Sequence, residues 1–358
     1  MVIDQLEICQ FRNLRNVSVA PSPHLNIIVG KNASGKTSFL ESIYYLATAR
    51  SFRTLHAKQI ISFDQDHFIL YGNVTSGTNV FGIGIKRDKH ATTLKIANRV
   101  VNSAAQLAEL MPTQIINPDV HKLLEDGPRH RRRFIEWGVF HVKPKYLGLW
   151  QQCRHILKQR NAALRQHQSE RQLLHWDQML WEVTHQITQI RNQYILDLTP
   201  LLNGLIEKIA NFPKIEIRLE QGWPSDKTYL EALAGSRASD LQRGFTQLGA
   251  HRADLQILVN EAPAKYVVSR GQQKMLTILM RIAQVNLLQH LGKSAILLVD
   301  DLASELDEYF CNLLMEEIAQ QPCQVFVTTT DKDFLKVNFA DKNSKVFHVE
   351  QGQLSERG

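Results

Sequence analysis

The sequence has little of what organises secreted, fibrous or membrane proteins. Its four cysteines never stand at C-x-x-C spacing, so neither a disulfide framework nor a zinc site is expected. Only 18 glycines and 11 prolines occur in 358 residues, which argues against a fibrous or disordered chain. No apolar run approaches the roughly 20 residues that span a bilayer, and Asp4 and Glu7 stand where a signal peptide needs bases. We expect a soluble cytoplasmic protein with no membrane partner.

Acidic residues are also fewer than basic ones. The chain carries 42 Lys and Arg against 35 Asp and Glu, a net charge of +7. A basic balance suits a polyanionic partner, because phosphate contacts dominate nucleic-acid affinity. Many basic proteins bind no nucleic acid, so the charge by itself leaves the partner open.

One segment has a strong chemical signature. Residues 30–37 read Gly30-Lys31-Asn32-Ala33-Ser34-Gly35-Lys36-Thr37, the pattern G-x-x-x-x-G-K-[ST]. An apolar run at 25–29 leads in as a buried strand, and apolar residues at helical spacing lead out. Glycines let backbone amides converge on a phosphate, towards which the helix N-terminus directs its positive dipole end. Lys36 adds a charge near the β- and γ-phosphates, and the Thr37 hydroxyl can bind Mg²⁺. The segment therefore predicts an ATP and Mg²⁺ site.

A second apolar run, 295–299, ends in Asp300-Asp301. Asp300 fits the acid that supports Mg²⁺ beside Thr37. Asp301 would point elsewhere and is the candidate to orient or deprotonate the attacking water. We predict Lys36, Asp300 and Asp301 as catalytic residues; the alternative is that the acidic pair only caps a strand.

The pattern along the chain predicts an α/β fold with mixed sheets and an inserted, mainly helical second domain. Residues 67–101 resemble a β meander, whereas 129–211 are rich in Gln, Arg, Leu and His with apolar residues at three- and four-residue steps. A strand at 214–219, a loop at 234–244 and a helix at 272–290 follow. We predict an ATPase domain formed by residues 1–115 and 245–358, interrupted by a helical lobe at 116–244.

Three short motifs resemble those of ABC-type ATPases. Ser269-Arg270-Gly271-Gln272, before a helix, resembles their signature, Ser304-Glu305-Leu306-Asp307 their D-loop, and Gln114 their Q-loop. The resemblance implies that Ser269, Gly271 and Gln272 contact the γ-phosphate held by a second subunit. It also implies that Gln114 takes part in nucleotide and metal binding.

The distance between the motifs narrows the class, because Ser269 follows Gly30 by 239 residues. Such an insertion resembles the SMC-type branch, and within it the chain resembles the RecF family. The residues that carry the likeness are Phe11-Arg12-Asn13-Leu14, the P-loop with 39–43, 49–54, Pro118-Asp119, 127–134, 158–165, 249–255, 269–272 and 300–307.

Membership would imply a weak, DNA-stimulated ATPase that dimerises when ATP is bound. It would bind duplex and gapped or single-stranded DNA and, with RecR-type partners, promote RecA loading at gaps during repair and the SOS response. Arg12 resembles the early basic residue of SMC-type heads that nears the nucleotide phosphates.

The chain departs from the family at two points. Ala33 stands where the family usually has Gly, so a positive φ there would be costlier. The switch histidine of ABC ATPases is missing, as in the family, and 328–330 are threonines, so no residue is assigned as γ-phosphate sensor.

Other readings stay open. The run 131–133, all Arg, could bind DNA, but we favour bracing of the two lobes or a solvated face, since three consecutive helical residues cannot face one way. Arg50 and Arg53 could contact DNA or a partner subunit. Two other functions remain: a transporter-associated ATPase without affinity for DNA, and a non-hydrolysing clamp that ATP closes on DNA.

Overall fold

The computed structural model describes residues 1–301, 306–330 and 344–357, so Ser304 and Glu305 of the predicted D-loop lie outside the described residues. The strands are β1 (Val2–Phe11), β2 (Leu14–Val19), β3 (Leu25–Val29), β4 (His67–Ser76), β5 (Asn79–Asp88), β6 (Thr92–Ile96), β7 (Arg99–Val101), β8 (Thr113–Ile116), β9 (Glu216–Glu220), β10 (Asp254–Val259), β11 (Ala262–Pro263), β12 (Ile296–Val299), β13 (Gln324–Thr329), β14 (Ser344–Glu350) and β15 (Gln353–Arg357).

The α-helices are α1 (Lys36–Thr48), α2 (Ala104–Leu110), α3 (Lys122–Glu125), α4 (Pro128–Val142), α5 (Tyr146–Arg165), α6 (Glu170–Ile206), α7 (Tyr229–Arg243), α8 (Ala264–Val267), α9 (Arg270–His290) and α10 (Glu308–Ala319). None of these described helices combines the length and apolar composition that a bilayer crossing requires. The chain forms two compact units: Met1–Val120 with Leu288–Gly358, and His121–Leu287.

The first unit contains a mixed six-stranded sheet with the order β15-β14-β3-β13-β12-β8. The five strands from β14 to β8 are parallel and β15 is antiparallel. Strand β12 is buried along its whole length, which explains why it reads as a continuous apolar run. Because parallel strands end at one edge, the segments that follow β3, β12 and β13 meet there.

A second six-stranded sheet in this unit is antiparallel, with the order β2-β1-β4-β5-β6-β7. Helix α1 packs between the two sheets. Phe39 of α1 contacts Phe326 of the mixed sheet with ring centroids 6.3 Å apart, and Tyr45 contacts Phe68 of the antiparallel sheet at 5.2 Å. The apolar stripe predicted for this helix is thus buried on both sides, and it fixes the P-loop at the helix start.

The second unit is mainly helical, as expected. Helices α5 and α6 form an antiparallel pair joined by a short turn, and α6 begins with a capping box between Ser169 and Gln172. A three-stranded sheet with the order β11-β10-β9 belongs to the same unit.

Two features of the second unit differ from the expectations. The predicted loop at 234–244 was wrong, because α7 covers it: Thr228 and Glu231 form a capping box, and Gly244 ends the helix at φ 70°. The compact units also group 245–287 with the helices, because β10 pairs with β9. The division into an ATPase domain and an inserted lobe stays a prediction. The second compact unit extends to Leu287, beyond the predicted end of the lobe at residue 244.

Candidate functional site

The P-loop joins β3 to α1 in a conformation that depends on its small residues. A Cβ on Gly30 would lie 2.6 Å from the Val349 carbonyl oxygen, and Gly35 has φ 123°. Ala33 adopts φ 64°, the left-handed conformation that its position in the sequence put in question. The Ser34 carbonyl accepts hydrogen bonds from Asn13 Nδ2 and the Gly352 amide, so both sheets brace the loop.

Lys36 lies inside the loop rather than in solvent. Its Nζ donates to the carbonyl oxygens of Gly30 at 2.8 Å and Lys31 at 3.1 Å. Burial lowers the Lys36 pKa, and the nearby charges of Asp301 and Asp300 oppose this shift. An ammonium held in a concave loop of backbone amides is a phosphate-binding arrangement.

The parallel strand ends bring three side chains together. Asp300 follows β12, Thr328 is the next-to-last residue of β13 opposite it, and Thr37 lies in the first turn of α1. Asp300 Oδ1 accepts hydrogen bonds from the hydroxyls of Thr37 at 3.0 Å and Thr328 at 2.8 Å. Burial raises the Asp300 pKa, and the two hydroxyls oppose that shift. A hydroxyl and a carboxylate oxygen beside a P-loop lysine are the groups that hold Mg²⁺ in P-loop proteins.

Asp301 faces another direction than Asp300. It has φ 46°, which turns the chain sharply after β12, and its amide donates to Thr328 Oγ1 at 2.9 Å. Asp301 lines the cleft at the P-loop, whereas the Asp300 carboxylate accepts from the Thr37 hydroxyl. The adjacent acids therefore have separate positions, as expected. Thr328 occupies the strand end where the sequence left the sensor unassigned, and it connects both acids.

Arg12 lines the same cleft and is held rigidly. Its Nε and Nη2 bind the two oxygens of Glu41 at 3.0 and 2.7 Å, and Glu41 is fully buried in α1. Arg53 Nη1 lies 3.4 Å from Glu41 and is half-exposed. The buried carboxylate thus fixes one cation at the cleft and attracts a second.

The cleft has a volume of about 1670 Å³, larger than one nucleotide needs. The sequence did not assign several of its walls: Asn13, the segment 61–65, and the turn 350–355 between β14 and β15. Phe63 is the most distinctive, with 91% of its surface exposed at the rim. The pairing of β14 with β3 brings the turn 350–355 to the P-loop, and the bridge between Phe11 and Ile61 brings the segment 61–65 beside Asn13.

The described residues fit a nucleotide and its metal. The Ser34 hydroxyl is buried in the loop without a partner among the described atoms, so it has a free donor. Lys36 supplies positive charge to the cleft, Arg12 presents there a guanidinium paired with Glu41, and Thr37 and Asp300 supply metal-binding oxygens. The site is thus built from one strand edge and two loops of the first unit.

Comparison with known proteins identifies the family to which this chain belongs. A family profile described as RecF/RecN/SMC N terminal domain matches residues 2–355. The chain is 38% identical over 357 residues to the DNA replication and repair protein RecF of Shewanella baltica (strain OS223), covering 99% of each. The chain belongs to the RecF family. It is also 39% identical over 357 residues to RecF of Shewanella piezotolerans, again covering 99% of each.

Solved structures confirm the predicted fold. The structure of the recombination mediator protein RecF with ATP in the RecFOR pathway superposes with a TM-score of 0.88 at 24% identity, covering 100% of this chain and 98% of the other. An Smc head bound to the C-winged helix domain of ScpA superposes with 0.61 at 13% identity, covering 100% and 97%. The RecF-family chain is thus an SMC-type P-loop ATPase head with mixed sheets.

The structure does not place Gln114 of this RecF-family chain at the metal-binding position that the Q-loop motif predicts. It lies inside β8, opposite Leu297, and is 2% exposed. Asp300 follows Val299, which pairs with Ile116, so Gln114 is three residues, or about 10 Å, back from that level. It does not line the cleft, and Asn117 stands at the strand end instead. The structure therefore does not bring Gln114 to Thr37 and Asp300 as a metal ligand.

The signature segment lies in the second unit, at the start of α9. Ser269 Oγ accepts from the Gln272 amide at 3.3 Å, and Gln272 Oε1 accepts from the Ser269 amide at 2.9 Å. This reciprocal capping gives Gln272 a structural role that the motif did not indicate. Ser269 is exposed, and Tyr266 and Val267 just before it are also exposed, at 76% and 51%.

The arginine run at 131–133 has divided roles. Arg131 makes a bidentate pair with Asp254 at 2.8 Å through both oxygens, and Arg132 donates to the Ala253 carbonyl. Arg133 is exposed. The contacts of Arg131 and Arg132 lie within the second unit. The favoured interpretation, bracing of the two lobes or a solvated face, therefore stays a prediction.

Proposed function

We propose that this protein is a Mg²⁺-dependent ATPase of recombinational repair whose ATP-bound dimer binds duplex or gapped DNA. The observation that carries the proposal is the cluster of Thr37, Asp300 and Thr328 beside the P-loop lysine. Family membership supplies the biological setting: relatives are named DNA replication and repair proteins, and one is described as a recombination mediator in the RecFOR pathway. We extend to this chain a RecR-type partner and a role in RecA loading at gaps.

In this mechanism each described residue has a task. The P-loop amides and Lys36 bind the β- and γ-phosphates, and Arg12 adds positive charge to the cleft. Thr37 and Asp300 would hold Mg²⁺, which would supply positive charge to the phosphates. Asp301, on the cleft side, orients the attacking water and accepts its proton.

A second copy completes the site. Ser269 and Gly271 begin α9 on an exposed surface, and the exposed Tyr266 and Val267 beside them are apolar residues of the kind that interfaces bury. We propose that this surface covers the γ-phosphate in the P-loop of the other copy. Hydrolysis then opens the dimer and releases DNA.

Mixing two inactive variants tests the shared site. Lys36→Ala removes the P-loop charge, and Ser269→Arg blocks the signature surface while costing about 1 kcal/mol of helix capping. Each variant by itself should form no ATP-dependent dimer in sedimentation velocity. In a mixed dimer, the intact P-loop of the Ser269→Arg variant can face the intact signature of the Lys36→Ala variant. Dimerisation and part of the hydrolysis should therefore return. No recovery on mixing, with both variants folded, would contradict a site shared between copies.

Two assays separate the proposal from its alternatives. A gel shift with gapped duplex at stated salt, with and without ATP, should show binding; no affinity for DNA would favour a transporter-associated ATPase. Single-turnover hydrolysis should release phosphate, whereas ATP-dependent dimers without any release would identify a non-hydrolysing clamp. Lys36→Arg should bind ATP and hydrolyse it poorly, and unchanged turnover would remove Lys36 from the mechanism.

A further inference from the structure

The positive charge of the chain is concentrated in one segment of the second unit. Residues 127–169 contain ten Lys and Arg and a single acid, Glu136, a net charge of +9. The other 315 residues contain 32 basic and 34 acidic residues and are slightly negative. The basic character that suggested a polyanionic partner therefore belongs to this segment alone.

Part of this charge is neutralised internally. Arg131 is paired with Asp254, and Arg160 is fully buried between Asp177 and Asp240 at 2.6 and 2.8 Å. Internal pairing accounts for these residues as structural ones. It does not account for the cations on the outer face of α5.

Helix α5 contains no acidic residue, and its outer face carries Arg154, Lys158 and Arg165, all exposed. At 3.6 residues per turn these three side chains fall within an arc of about 40° and extend along about 16 Å of helix. We call them the α5 stripe. Its opposite face is buried, with Cys153, Ile156 and other residues in the core of the second unit.

Two members of the stripe have no carboxylate within ion-pair distance in the described parts of the chain: Arg154 and Lys158. Arg165 donates to the Gly244 carbonyl, a neutral group, at 3.2 Å. Glu136 interacts with Arg154 only at longer range. A row of cations on a rigid helix, without a carboxylate in contact, matches a regular row of phosphates, of which about five on one strand span 16 Å.

We propose that the α5 stripe binds the phosphate backbone of duplex DNA. The inference rests on the proposed function for the identity of the polyanion and adds the place where it binds. Single strands need exposed aromatic side chains on which bases stack. The two aromatic residues of α5 are engaged in packing: Tyr146 is buried, and Trp150 stacks on it, beneath the Arg191 guanidinium. The stripe is therefore suited to a backbone and not to bases.

The test compares two variants of equal net charge in the full-length protein. Arg154→Gln with Lys158→Gln neutralises the stripe and leaves the Arg165 hydrogen bond intact. The control, Lys95→Gln with Arg99→Gln, neutralises two exposed cations of the β6–β7 hairpin. Binding to a 30-base-pair labelled DNA duplex is measured with ATP and Mg²⁺ from 50 to 200 mM KCl.

We expect the stripe variant to bind roughly 30-fold more weakly near 150 mM salt. We also expect its log–log salt slope to fall by about 1.8, because each phosphate contact contributes about 0.9 to that slope. The control variant should match the wild type. Arg154→Lys with Lys158→Arg keeps both charges and should keep the affinity, which separates a charge effect from a folding defect.

The outcomes distinguish this inference from the proposed function. If the wild type binds no DNA, the proposed function fails and the inference falls with it. If the wild type binds but the stripe variant binds equally well, or the control loses as much, the location is wrong. The location is also wrong if the stripe variant keeps its affinity for duplex DNA and loses affinity only for duplex RNA or for polyglutamate.

Discussion

Thr328 connects the two acids of the site, so Thr328→Val is the sharpest perturbation of the cluster. Valine keeps the shape of threonine and removes its hydroxyl, which donates to Asp300 and accepts from the Asp301 amide. Thr328 is 1% exposed, so its hydroxyl is shielded from water. A hydrogen bond to a charged group contributes about 1.5–3 kcal/mol. We expect the free energy of unfolding of the first unit to fall by about 1.5–3 kcal/mol.

The deficit should depend on pH. The Thr328 hydroxyl lowers the Asp300 pKa, opposing the rise caused by burial, so the variant should have a still higher Asp300 pKa. At neutral pH the buried carboxylate then lacks part of its hydrogen bonding. As pH falls through the folded-state pKa, Asp300 becomes protonated and the difference between variant and wild type should shrink.

Urea unfolding at pH 7.5 and 5, followed by circular dichroism and tryptophan fluorescence, measures this effect. All five tryptophans lie between residues 137 and 223, so fluorescence reports the second unit, while circular dichroism reports both. Thr277→Val is the matched control, since Thr277 is equally buried and its hydroxyl donates only to the Lys274 carbonyl of its own helix. If Thr328→Val loses no more stability than Thr277→Val, Thr328 does not support the acids as we argue.

Three further changes test the site and the second unit. Ala33→Gly should stabilise the protein by about 0.5–1 kcal/mol, because it relieves a positive φ. Ala97→Gly, outside the site, should stabilise it by a similar amount for the same reason. Only Ala33→Gly should alter ATP affinity in calorimetry. Asp300→Asn should raise the melting temperature at neutral pH, because burial disfavours the carboxylate, and the gain should vanish in acid while Mg²⁺-dependent ATP binding is lost. Burial lowers the His251 pKa to about 4, so the free energy of unfolding should fall as pH decreases from 6.5 to 4. His251→Asn should reduce that fall in fluorescence-detected unfolding. His155→Asn, at an exposed position, is the control and should leave the fall unchanged.

Local patterns were sufficient for most elements of the fold. The P-loop, the strand before it and the helix after it depend on neighbouring residues, so their sequence encodes them directly. The α7 segment was missed because its Ala, Gly and Ser residues resemble a loop, and the capping box at Thr228 and Glu231 was not recognised. Gln114 was misplaced because a motif read alone does not tell whether a residue lies within a strand or after it.

The nucleotide chemistry was predictable from sequence, since residues 30–37 and Asp300, to which we assign it, follow apolar runs that are read locally. The same segment marked Ala33 as the unusual residue of the loop. The other relations depend on how the chain folds. Thr328 meets Asp300 because β13 lies beside β12, and Glu41 fixes Arg12 from another element. Burial and ion pairing distinguish the structural arginines from the exposed α5 stripe. These relations join residues far apart in the chain, and strand order and side-chain burial exist only once the chain has folded.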